Sequence, residues 1–84
     1  MRKNYNDFIK RVQEIQISSM NNDYVEKFDV ALRHSGVFIW VIVRKSRATS
    51  SYFYDVAKEE HSQEKLDEII FKLNEFINKR NNTL

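Results

Sequence analysis

The chain has 84 residues with a single glycine, no proline and no cysteine, and its formal net charge is only +2. This length supports one domain, residues 1–84, with an ordered core over about 4–80 and a frayed tail at 81–84. The composition excludes a disulfide framework, a thiolate metal site, polyproline or collagen-like modes and any glycine-rich phosphate loop, and the charge excess is too small for a phosphate-binding signature.

Tyr5, Phe8, Ile9, Val12 and Ile15 recur at helical spacing and predict a helix over residues 5–17, with Asn4 as its N-cap. The polar run 18–22 should end it. From Tyr24 the period changes to two. Phe28, Val30 and Leu32 alternate with Lys27, Asp29, Ala31 and Arg33, the mark of a half-buried strand. Val37 to Val43 is β-branched or aromatic at every position, as in a central strand. It is also too short for a membrane helix, which needs roughly 20 apolar residues. No apolar leader follows the charged N-terminus, so a soluble, cytoplasmic protein is expected. A third strand is predicted over 51–57, with Tyr52, Tyr54 and Val56 on one face and Phe53, Asp55 and Ala57 on the other. Leu66, Ile69, Ile70, Leu73, Phe76 and Ile77 then keep helical spacing behind Ser62, the expected N-cap.

The fold class is therefore α+β, in the order α-β-β-β-α. It is a three-stranded antiparallel meander with two helices packed on the sheet. Gly36 suits the last position of a three-residue turn, which places Leu32 opposite Phe38, Val30 opposite Trp40 and Glu26 opposite Arg44. A two-residue Ser35-Gly36 loop would instead set Lys27 against Arg44, a like-charge pair. In the favoured register Phe28, Val30, Leu32, Phe38, Trp40 and Ile42 form the core face. Val37, Ile39, Val41 and Val43 then lie on a mixed, partly open face. That face is a candidate contact surface for a partner protein or for a second copy in a homodimer.

The small net charge hides a polarised chain. Arg44, Lys45 and Arg47 form a basic loop without an acid, while Asp55, Glu59, Glu60, Glu64, Asp67 and Glu68 face only Lys58 and Lys65 within residues 55–68. The acidic segment can present a negative surface to a basic partner, or can follow from the preference of acids for helix N-termini. The basic loop, with Tyr52 for stacking, can contact nucleic acid, or can simply keep a strand edge soluble. His34 and His61 have no spacing that suggests a metal site, and no serine lies in a nucleophile turn. Neither a cofactor nor an enzymatic activity is expected.

The element order resembles the double-stranded-RNA-binding domain, which implies a basic RNA-binding surface. That family's Lys-Lys-x-Ala-Lys signature is missing, since Ser62-Gln63-Glu64-Lys65-Leu66 stands at the start of the second helix. The opening Asn4-Tyr5-Asn6-Asp7-Phe8-Ile9-Lys10-Arg11-Val12 and the stretch from Ser51 through the second helix are similar to small phage-encoded anti-CRISPR proteins. That resemblance implies an inhibitor that occupies a nuclease groove as a phosphate mimic. Those inhibitors are strongly acidic, and here only the 55–68 segment is. An Asn-, Lys- and Ile-rich composition suits an AT-rich bacterial or phage genome. The expectation is a phage or mobile-element accessory factor that inhibits or modulates a host protein such as a defence nuclease. The alternatives are a nucleic-acid-binding module and a self-associating structural domain.

Overall fold

The helical spacing near the N-terminus becomes α1, Arg2–Ser19, in the computed structural model, which describes residues 2–82. The helix begins before Asn4, which lies inside it and is not the cap. Arg2 and Lys3 are good helix formers, and nothing before Asn4 breaks the turn. It runs two residues into the polar run and ends at Ser19, and the Tyr24 N–H donates to Asn22 Oδ1 at 2.9 Å to turn the chain. Strands β1 (Val25–Arg33), β2 (Gly36–Arg44) and β3 (Ser50–Ala57) follow, and α2 spans Gln63–Asn82. Ser62 caps α2 as its position suggests: the Lys65 N–H donates to Ser62 Oγ at 3.2 Å. Residues 83 and 84 of the expected frayed tail lie outside the described residues, and α2 continues through Asn82.

The strands form an antiparallel meander in the order β1-β2-β3, with β2 central. Both helices pack on one face of it. Phe8 and Val12 of α1 and Leu66, Ile69, Ile70, Leu73 and Ile77 of α2 close on Val37, Ile39, Val41, Val43 and Ala57 to make the buried core. The architecture is α-β-β-β-α, as the hydrophobic periods predict.

The register corrects the expected assignment of faces. Arg33 pairs with Gly36, Leu32 with Val37, Val30 with Ile39 and Phe28 with Val41. The loop is therefore His34-Ser35, shorter than the three-residue turn and displaced from the Ser35-Gly36 alternative. A shift of one residue exchanges the two faces of a strand relative to its neighbour. Val37, Ile39, Val41 and Val43 are consequently core residues with almost no exposure, not members of an open contact face. The gain is physical: Phe28 and Val30 of β1 join the compact β-branched set of β2, and stiff Val and Ile side chains pack closely under two helices, while Leu32, expected in the core, is left exposed near the hairpin. The Glu26–Arg44 pair survives the change. A register shift between Val25 and Lys27 brings Arg44 Nε to 3.2 Å from Glu26 Oε1.

Candidate functional site: the uncovered face of the sheet

With both helices on one side, the other side of the sheet is left without a covering element among the described residues. Pairing places its side chains in rows across the three strands. Ala31, Phe38 and Val56 make one row, Asp29, Trp40 and Tyr54 the next, and Lys27, Ile42 and Tyr52 the third. Trp40 is 42% exposed, Tyr54 62% and Tyr52 66%. For such large rings these values mean apolar area held open on a rigid surface, where aromatic side chains act as anchors. The Lys27 ammonium lies 4.4 Å from the centre of the Trp40 ring and 3.3 Å from Asp29 Oδ2. One cation thus rests on the indole face while its neighbour balances the charge.

The basic loop opens at the end of this face. Arg44 pairs with Ser50 across the strands, and the N–H groups of Lys45 and Ser46 both donate to the Thr49 carbonyl, at 2.9 and 3.0 Å. Arg44, Lys45 and Arg47 are exposed. Arg44 already holds Glu26, which also accepts a hydrogen bond from Ser50 Oγ at 3.2 Å.

The acidic residues differ in their surroundings. Asp55 stands on the helix-covered face of β3 and accepts the Val56 N–H at 2.8 Å. Asp67 binds Arg11 of α1 at 2.9 Å and Gln63 at 2.8 Å, and these hydrogen bonds hold its carboxyl below the usual aspartate range. Glu68 lies between Lys72 and Lys65, at 3.4 and 3.7 Å, and the Lys72 hydrogen bond leads in lowering its pKa. Glu59 and Glu60 line a cleft of about 570 Å³ at the hairpin end of the molecule, together with Arg33 and Lys58. Partial burial, and then the charge of Glu59, push the Tyr5 phenol above its ordinary value in the same cleft. Glu64 lies in the first turn of α2.

His61 turns its Nδ1 to the Lys58 N–H at 3.0 Å and so closes the β3–α2 turn. His34 is exposed in the tight hairpin loop. Among the described residues no three His, Asp or Glu side chains converge as a metal set. No described helix is long and apolar enough to cross a membrane.

The sequence left open which face of the third strand is exposed, and its expected register put Phe38, Trp40 and Ile42 in the core. The signal for their true position lies in chemistry, not periodicity. One set of alternate β2 residues is wholly aliphatic, while the other carries Trp40 and ends in Arg44. That second set matches Tyr52 and Tyr54 of β3, whose hydroxyls favour a wet face. Compared with known proteins, the chain matches no family model, no curated protein and no solved structure.

Proposed function

We propose that this protein is a non-enzymatic binding module that docks another protein on the uncovered face of its sheet. The observation that carries the reading is the exposure of Trp40, Tyr52 and Tyr54 on one rigid, helix-backed surface. Interfaces draw most of their affinity from a few such aromatic anchors, and a surface ordered before binding loses little entropy on docking. Lys27, Asp29 and Arg33 supply a polar rim. The similarity to anti-CRISPR proteins extends the proposal to a host defence nuclease as the partner. The acidic segment is then a secondary contact, because Asp67 and Glu68 already hold cations. Affinity capture from a lysate of the source organism, followed by mass spectrometry, tests the reading. A protein retained by the wild type should be lost with the Trp40→Ala/Tyr54→Ala double variant and kept with Glu60→Lys/Glu64→Lys. The opposite pattern moves the binding surface to the acidic segment.

A second reading has its own observation: Tyr52 lies beside the Arg44 end of the same face as the basic loop. Stacking on Tyr52 with phosphates at Lys45 and Arg47 is a mode for single-stranded nucleic acid. It requires binding that weakens steeply with salt, and absence of a gel shift at about 50 mM salt rules it out.

A further inference from the structure

We propose that two copies of the chain join antiparallel along the outer edge of β3, centred on Phe53, and so double the three-stranded sheet. The inference is independent of what the sheet face binds.

The Arg44 N–H donates to Tyr24 O on the β1 side, and the Lys45 N–H to Thr49 O on the β3 side. Backbone direction alternates along a strand, so Val37, Ile39, Val41 and Val43 bond toward β3. Their partners Ala57, Asp55, Phe53 and Ser51 face inward, and the N–H and C=O groups of Ser50, Tyr52, Tyr54 and Val56 face outward. Among the described residues no strand lies beyond β3.

The two edges of the sheet are treated differently. On β1, a bulge interrupts the strand at Glu26, and Gln16 Nε2 of α1 donates to the outward Phe28 carbonyl at 2.8 Å. Those are the usual devices against edge-to-edge pairing. On β3 there is no bulge, proline or lysine; its inward-pointing Asp55 is the protection it has, and among the described residues the Val56 N–H is the one outward group taken by a side chain, that of Asp55. The pair of N–H and C=O groups at Tyr52 and at Tyr54 forms an open template for another strand.

The sequence of β3 is complementary to itself. Outward groups must meet outward groups, so a two-fold axis at Phe53 sets Tyr52 opposite Tyr54 of the second copy and Ser51 opposite its Asp55. The only charge in the strand then faces a hydroxyl donor and not its own copy. Phe53, which packs on Phe76 with ring centres 5.6 Å apart, meets its equivalent on the helix-covered side. Lys72, one turn before Phe76, is already held by Glu68.

Light scattering or sedimentation of the full chain from about 10 μM to about 1 mM covers any dimer with a Kd in or below that range. The mass should rise to twice that of one chain. A single-chain mass throughout overturns the proposal. Tyr54→Pro removes an outward N–H that an edge strand does not need, and should stay folded by circular dichroism while remaining monomeric. Should that variant unfold, Ser51→Asp provides the test. It sets two carboxylates against each other and should weaken the dimer about tenfold or more, and Ser51→Asp/Asp55→Ser should restore it. A dimer lost in Trp40→Ala but unchanged in Ser51→Asp overturns the edge in favour of face-to-face association.

Discussion

Gly36 meets two demands at once. Its φ is +147°, and a Cβ there would come within 2.7 Å of the Ala57 carbonyl oxygen. It is the only positive-φ residue among those described, so the tight His34-Ser35 loop concentrates its unusual geometry at one position. Gly36→Ala should therefore lower stability by about 1–3 kcal/mol, read from urea unfolding, because both the backbone conformation and the contact resist the methyl. Asp67 and Glu68 set a different limit. Their cationic neighbours lower both pKa values from the ordinary 3.8 and 4.5. Their contribution to stability is complete above those ordinary values and fades as pH falls through the lowered ones. Thermal melts of Asp67→Asn should thus show a smaller loss of Tm between neutral pH and pH 3 than the wild type. An unchanged acid limb would remove Asp67 from the acid response.

Among the elements, β2 decides the architecture because it is apolar on both faces. Alternation marks an ordinary strand's buried side, but here it is silent and the hairpin loop chooses. The choice is testable by adjacent substitutions. Ile39 is wholly buried, and Ile39→Ala should cost about 2–5 kcal/mol. Tyr54→Ala on the opposite face should cost about 1 kcal/mol or less. Equal costs would contradict the observed faces. Ser62 anchors α2 through the Lys65 N–H, and Ser62→Ala should lower stability by about 1 kcal/mol in the same denaturant series.

In the whole molecule, two helices on three strands leave one side of the sheet over. Arg11 and Asp67 join the helices above the sheet, while Trp40, Tyr52 and Tyr54 stay open below it. The proposed functions follow from this asymmetry, since a layer without a partner is where a second molecule can add apolar burial. The expected outcome is separable: Trp40→Ala/Tyr54→Ala abolishes partner capture, while cooperative urea unfolding shows that the variant remains folded.

The sequence by itself determined the element order, the cap at Ser62, the special place of Gly36 and the Glu26–Arg44 pair. These are local in origin, arising from periodicity, turn chemistry and opposite charge within a hairpin. Only the tertiary structure decided which side of β2 meets the helices. Periodicity could not choose between Val37, Ile39, Val41 and Val43 on one side and Phe38, Trp40 and Ile42 on the other, because both are apolar. The same limit hid the candidate site, since exposure of Trp40 and Tyr54 depends on where two distant helices pack. It also left the charges undecided: the acids of 55–68 are close together in the chain, yet folding turns Asp67 toward Arg11 of α1 and Asp55 toward its own strand. Which charge and which ring stay available is settled by partners remote in sequence, and a one-residue shift in a hairpin selects them.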